Sequence, residues 1–241
     1  LQKPALYIWN NLFTDLLHAS IKNFNQSDID KVIKPDKINN YSTLYNNIGL
    51  AYWDKADLPK ALNYFTKARR IDKQLNDKKS IAISDLNIGL VYADMGDYKN
   101  ALSNYFNSVK LNHELGDEQS KALAYINIGQ VYSLKKEYFK SMEYNLKALR
   151  IAEKYKDNRN LAFVYNNIGS LYSAENNYEK AIEYFYKGLD KYTLIGEKSG
   201  QTLTLNNIGD ALCTKLKFND AVLIFNKALK IEEENDLIDD E

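Results

Sequence analysis

Cys213 is the single thiol of this chain, and His18 and His113 are its two imidazoles. A thiol beside an imidazole is a nucleophilic couple that calls for a geometric check, because the base raises the reactive thiolate fraction. Other catalytic chemistry lacks its parts. There is no glycine-rich phosphate loop, no dinucleotide glycine pattern and no metal-ligand spacing. Glu232–Glu241 holds seven carboxylates in ten residues, which reads as a solvated, fraying terminus. Basic residues are not interleaved with aromatics as a nucleic-acid groove would require. Lys plus Arg equals Asp plus Glu at 32 each, so no net charge draws the chain to nucleic acid or an anionic membrane. Whether Cys213 and His113 can meet depends on the elements that carry them.

Amides form a far more regular set than thiols and imidazoles. Asn-Ile-Gly occurs at Asn47-Ile48-Gly49, Asn87-Ile88-Gly89, Asn127-Ile128-Gly129, Asn167-Ile168-Gly169 and Asn207-Ile208-Gly209, 40 residues apart each time. Three residues past each Gly stand Tyr52, Tyr92, Tyr132, Tyr172 and Leu212. Twelve past it stand Ala61, Ala101, Ser141, Ala181 and Ala221; sixteen past it, Phe65, Tyr105, Asn145, Phe185 and Phe225. Ala68, Ser108, Ala148, Gly188 and Ala228 follow at nineteen. Five copies in phase make the chain an internal repeat.

Within one repeat the period is helical. Tyr45, Ile48, Gly49 and Tyr52 lie at i, i+3, i+4 and i+7, and Ala61, Phe65 and Ala68 make a second such face. The breaks between them are short and polar. Met95-Gly96-Asp97 pairs a helix-ending Gly with a helix-starting Asp. Longer joints such as Asn76-Asp77-Lys78-Lys79 and Gly196-Glu197-Lys198-Ser199 link one repeat to the next. Each repeat is thus expected to be helix A, a tight turn and helix B. A mid-helix Gly costs about 1 kcal/mol against Ala, so the repeated Gly implies a place that tolerates no side chain, expected where A and B cross closely. With 3 Pro and 10 Gly in 241 residues, 45% hydrophobic and 27% charged, the composition suits such a folded helical chain.

The order Gly, Tyr at plus three, Ala at plus twelve, aromatic at plus sixteen and Ala at plus nineteen resembles the tetratricopeptide repeat (TPR). The 40-residue period with Asn before Ile-Gly is similar to the longer subclass in kinesin light chain, Pins-type adaptors and bacterial TPR signalling proteins. The resemblance implies an all-α fold, a right-handed superhelical α-solenoid of antiparallel helix pairs. It covers 42–241 as five repeats, 42–81, 82–121, 122–161, 162–201 and 202–241. Asp85 and Leu205 in place of Tyr45, and Asn145 in place of the ring, imply local packing differences. Residues 1–41 lack the signature, yet Leu6, Trp9, Leu12, Phe13, Leu16 and Leu17 trace an apolar helical face, and Ile29, Val32 and Ile33 a second before Pro35. A degenerate helical cap on the first repeat is expected there.

In such arrays the A helices line a concave groove. Carried over, the likeness turns the ladder Asn47, Asn87, Asn127, Asn167 and Asn207 inward, beside Asn46, Leu86, Ile126, Asn166 and Asn206. Leu90, Gln130, Phe163 and Trp53 join them. An amide offers both a donor and an acceptor, so a ladder of them can pair with the backbone of an extended peptide. Equally, it can tie one helix to its neighbour and maintain the array. A carboxylate clamp of the chaperone-binding kind needs groove Lys and Arg, which these positions do not carry.

In an array, His113 and Cys213 lie 100 residues, or two and a half periods, apart. At roughly 8–10 Å per packed helix they cannot touch. No catalytic residue, metal or cofactor is expected. The expected function is a non-catalytic TPR scaffold for a protein or extended peptide, the sensory or docking segment of a larger signalling protein. A structural self-association module with an unoccupied groove is the alternative. The start at Leu1 rather than Met suggests a piece of a longer protein. No run is apolar and long enough to span a membrane, so no membrane contact is expected of this segment. Finally, Leu223 stands where other repeats carry Asn63, Ser103, Glu143 and Glu183, so it is expected to be exposed and to offer a homodimer contact on the last repeat.

Overall fold

The computed structural model describes residues 38–239. Among them are ten α-helices and no strand: α1 (Ile38–Asp54), α2 (Leu58–Gln74), α3 (Lys78–Asp94), α4 (Tyr98–Leu115), α5 (Glu118–Leu134), α6 (Tyr138–Tyr155), α7 (Asn158–Ala174), α8 (Tyr178–Leu194), α9 (Lys198–Thr214) and α10 (Phe218–Asp239). Odd-numbered helices are the A helices and even-numbered ones the B helices. Two compact bodies form, one ending at Gly116 and the other beginning at Asp117. Within each body every helix packs against its neighbours in sequence. The cap expected over 1–41 falls outside the described residues except for its last four, which open α1.

The turns are built by one rule. A side-chain oxygen of Asp57, Asp77, Asp97, Asp117, Asp157 or Asn177 accepts from the backbone N–H three residues on, satisfying a donor the helix cannot. Glu137 and Glu197 occupy the same position without forming that bond, being one methylene longer. Just before the cap sits a left-handed residue. Gly96, at φ 77°, fills it without strain, whereas Ala56, Lys136, Asn176 and Leu216 adopt φ 58–60° at a cost of roughly 1 kcal/mol each.

The repeated glycines seat the side chain sixteen residues on. A Cβ on Gly169 would lie 2.6 Å from the Phe185 ring and 3.1 Å from the Ala181 carbonyl oxygen. Gly49 and Gly89 hold Phe65 and Tyr105 the same way, with 2.6 and 2.5 Å to the absent atom. The sequence assigned this Gly chiefly to close helix crossing. Backbone does come near, but the ring is nearer, so the glycine first makes room for the ring. In α5–α6 the seat holds Asn145 instead. Its Nδ2 donates to the Ser141 carbonyl at 2.9 Å, and Ser141 Oγ donates to the Gly129 carbonyl at 2.7 Å.

A second stack recurs beside each seat. Tyr52 lies on Tyr64 at 5.4 Å, Tyr132 on Tyr144 at 5.6 Å and Tyr172 on Tyr184 at 5.4 Å. Lys60, Lys140 and Lys180 cover the first ring of each pair at 5.0–5.1 Å. Such cation–π contacts add about 0.5–1 kcal/mol at exposed sites.

Two outcomes are expected. Gly169→Ala should lower stability by about 1–3 kcal/mol through overpacking, although Ala is the better helix former. Pairing it with Phe185→Leu should recover part of that loss in a denaturant titration. Unchanged stability in the single variant would contradict the seat. The second concerns Glu197, which is 6% exposed and whose carboxylate oxygens have no hydrogen-bond partner among the described residues. Burial holds its pKa above the ordinary value of 4.5, with the Arg159 charge opposing. The folded protein therefore binds the proton more tightly than the unfolded chain. This group's contribution is fully present below pH 4.5 and is lost as pH rises through the raised folded value. Glu197→Gln should raise the melting temperature at pH 7 and gain little at pH 4; equal gains at both would count against a titrating Glu197.

Candidate functional site

The A helices present the same positions again and again because glycine and seat fix the rotation of each A helix on its partner. The expected groove residues fall into three environments. Trp53 is 2% exposed, its Nε1 donating to Asp94 Oδ2 at 2.7 Å, and it packs with Phe65, Ile88 and Val91. Leu86, Leu90 and Ile126 are also buried, at 4–5% exposure. Asn46, Asn47, Gln130, Phe163, Asn167, Asn206 and Asn207 are half-buried, while Asn87, Asn127 and Asn166 are buried.

Several ladder amides bind other side chains of the chain. In the first body Asn87 Nδ2 donates to Asn46 Oδ1 at 3.4 Å, and Asn46 Nδ2 donates to Ser84 Oγ at 3.4 Å. Ser84 Oγ in turn donates to Asp72 Oδ2 at 3.1 Å, and Ser42 Oγ donates to Asp72 Oδ1. Asp72 thus anchors a polar chain under the A-helix face. Burial pushes its carboxyl above the usual range, with the two hydroxyls opposing. In the second body Asn207 Nδ2 donates to Asn166 Oδ1 at 3.1 Å, and Thr204 Oγ1 reaches the same oxygen at 3.4 Å. Asn167 has Ile126 where that pairing would need an acceptor, and its Nδ2 turns to Asn145 Oδ1 at 3.3 Å. Asn127 Nδ2 is buried with no partner among the described residues.

Sequence reasoning missed Asp72 and Ser84: Ser84 stands at a phase that carries Ala124, Val164 and Thr204 elsewhere, whereas the phase of Asp72, with Asn112, Ala152, Tyr192 and Glu232, has no common residue type to depart from. The catalytic inventory gains nothing. His113 is exposed on α4, Cys213 is half-buried beside the α9–α10 core, and His18 lies outside the described residues. Among the described residues no three His, Cys, Asp or Glu cluster as a metal site would require, and no helix is long and apolar enough to cross a membrane.

Tetratricopeptide repeat family models match residues 42–75, and again 80–154, 120–194 and 160–234 in overlapping register. The chain belongs to the tetratricopeptide repeat family. It is an all-α TPR solenoid, and TPR arrays are in general non-catalytic protein-interaction scaffolds. No curated protein matches the chain. Among solved structures, BtubC (BKLC) from P. vanneervenii is similar with a TM-score of 0.72 at 17% identity, over 94% of this chain and 93% of BtubC. A Rap protein complexed with competence and sporulation factor gives 0.77 at 14% identity, over 92% of this chain and 59% of its own. A signal transduction ATPase with numerous domains and a TPR sensor, from Pyrococcus horikoshii, gives 0.68 at 19% identity, over 86% of this chain and 32% of its own. At these identities the likeness is one of fold.

Proposed function

We propose that this TPR chain holds a protein or extended peptide on its A-helix face, as the sensory or docking segment of a larger signalling protein. The observation that carries this reading is the chemistry of that face. Around the ladder stand Thr43, Ile83, Ser170 and Asp210, exposed, and Leu50, Leu123, Gln130, Phe163 and Leu203, half-buried. Amides, hydroxyls and partly exposed apolar groups suit a peptide backbone with intermittent side-chain contacts. Lys and Arg are absent from these positions, which argues against a carboxylate clamp. The Rap structure is a complex with competence and sporulation factor, and the Pyrococcus protein carries a TPR sensor, so both are consistent with a sensing role.

The test is affinity capture on the isolated chain, followed by calorimetry with the captured partner. Gln130→Lys with Ser170→Lys alters accessible positions of the face and should weaken binding at least tenfold with helicity unchanged. Equal affinity would remove the A-helix face from the interface.

Self-association is a second reading, favoured by α10. Leu223 is 62% exposed, with Val222 and Leu229 at 56% each. The α8 counterparts of Val222 and Leu229, Ile182 and Leu189, pack half-buried against the α8–α10 core. On this reading the wild type sediments as a dimer at high micromolar concentration and Leu223→Glu as a monomer. A monomeric wild type at that concentration would eliminate it.

A further inference from the structure

The Tyr–Lys stack is missing from α9–α10, where Leu205, Leu212 and Ile224 stand at its ring positions, and from α3–α4, where its absence opens a cleft. In α1–α2 the stack comprises Tyr45, Tyr52 and Tyr64 under Lys60 and Lys67; it recurs in α5–α6 and in α7–α8. At the matching positions α3–α4 carries Asp85, Tyr92 and Asn104, with Asn100 and Asn107 for the lysines. Two rings and both long cations have been exchanged for short polar side chains. Tyr92 keeps its place but stacks on no ring among the described residues.

The vacated volume is a cleft of about 740 Å³ between α2 and α4, with Tyr92 and Ile88 of α3 in its lining. One wall is cationic, with Arg69, Arg70 and Lys73 on α2. The other offers Asn100, Ser103 and Asn104 on α4, and no carboxylate lines the cleft. Arg69 belongs to the same exchange. Its phase carries Val109, Leu149, Leu189 and Leu229 elsewhere, whereas here Arg69 Nη1 pairs with buried Asp85 at 3.0 Å and donates to Asn104 Oδ1 at 3.1 Å. Asp85 offsets one cation from below and also accepts from Asn107 Nδ2. Arg70 and Lys73 are exposed and have no ion-pair partner among the described residues.

We infer that this cleft is a second binding site, separate from the A-helix face, and that it takes an acidic segment of a partner peptide. Carboxylates of the segment meet Arg70, Lys73 and the outer edge of Arg69. The Asn and Ser wall donates further hydrogen bonds. A flat or apolar side chain between the carboxylates lies on the Tyr92 ring, as Tyr64, Tyr144 and Tyr184 lie on theirs. Specificity comes from requiring both features at one spacing, which surface lysines alone do not impose.

The probe is a fluorescein-labelled acidic pentapeptide, glutamates around one phenylalanine, titrated with the full chain by fluorescence anisotropy. Saturable binding that weakens with added salt is expected. Arg70→Glu with Lys73→Glu, both on the surface, should weaken it at least tenfold. Asn104→Tyr, which restores the ring found in three other helix pairs, should fill the cleft and weaken binding as much, without lowering the melting temperature. Lys227→Glu with Lys230→Glu on α10 should leave it unchanged. The inference fails if the wild type shows no saturable binding, if a glutamine version of the probe binds as well, or if Asn104→Tyr binds like the wild type. That last result would assign the affinity to surface charge alone.

Discussion

The array depends on one contact, a side chain lodged where a helix has no Cβ. In α1, α3, α7 and α9 a glycine receives the ring of Phe65, Tyr105, Phe185 or Phe225 from the partner helix. The ring occupies the space an Ala methyl would need, so a wrong rotation or slide of either helix brings a side chain against it. The glycine forfeits about 1 kcal/mol of helix propensity, and burial of a large aromatic returns several times that. Everything on the A face inherits its direction from this lock, because Asn at minus two is fixed once Gly at zero is fixed. Capped turns add the second constraint. A left-handed residue followed by Asp or Asn sends the chain back within a few residues, which leaves the pair little freedom in crossing.

Polar exchanges show which parts of the lock are essential. In α5–α6 the small residue is Ser141 and the seated one Asn145, and both find hydrogen bonds inside the seat. Shape is kept while chemistry changes. Asp72, Asp85 and Glu197 are harder to accommodate, since burial raises the pKa of each carboxyl. Asp72 is answered by two hydroxyls and Asp85 by Arg69 and Asn107. Glu197 has only the more distant Arg159 charge. Buried charge of this kind is seldom a source of stability relative to apolar packing. It distinguishes one helix pair from the next in an array whose hydrophobic positions are nearly interchangeable.

Much of this was legible in the sequence because a repeat states its rule several times. The period gave the helices, Gly96-Asp97 gave a turn with its cap, and the odd residue Leu223 at a polar phase announced an exposed apolar side chain. What stayed hidden depends on contacts between helices rather than on phase within one. The amide ladder shows this. A single period makes Asn87, Asn167 and Asn207 equivalent, yet each has a different partner, because the residue 41 positions earlier is Asn46 for Asn87, Ile126 for Asn167 and Asn166 for Asn207. Trp53 shares a phase with Ala93 and Ser133, and only its size and the carboxylate of Asp94 carry it inside. Glu197 reads as a cap beside Asp77, Asp117 and Asp157, but one methylene moves its carboxylate out of reach of the backbone N–H.

The seat and the Tyr–Lys stack stand one residue apart on the B helix, and that adjacency explains how the chain can vary. Position sixteen points into the pair and is held by glycine, so it changes only to something that fits the same hole. Position fifteen lies beside it, buried at Tyr64 and Ile224 and half-buried elsewhere; there Tyr64, Tyr144 and Tyr184 stack and Asn104 and Ile224 replace them. Loss of that ring forfeits a stacking contact of about 0.5–1.5 kcal/mol but leaves the lock intact. The interior therefore enforces the fold, while the layer beside it is free to differ from pair to pair. In α3–α4 that freedom has been used in a concerted way, since Asp85, Asn100, Asn104 and Asn107 depart from their phase together with Arg69 of the facing α2. Independent drift would leave rings without partners or charges without counterions; here Arg69, Asp85, Asn104 and Asn107 are joined by direct contacts. Such a matched exchange marks a locally redesigned surface rather than a decayed repeat.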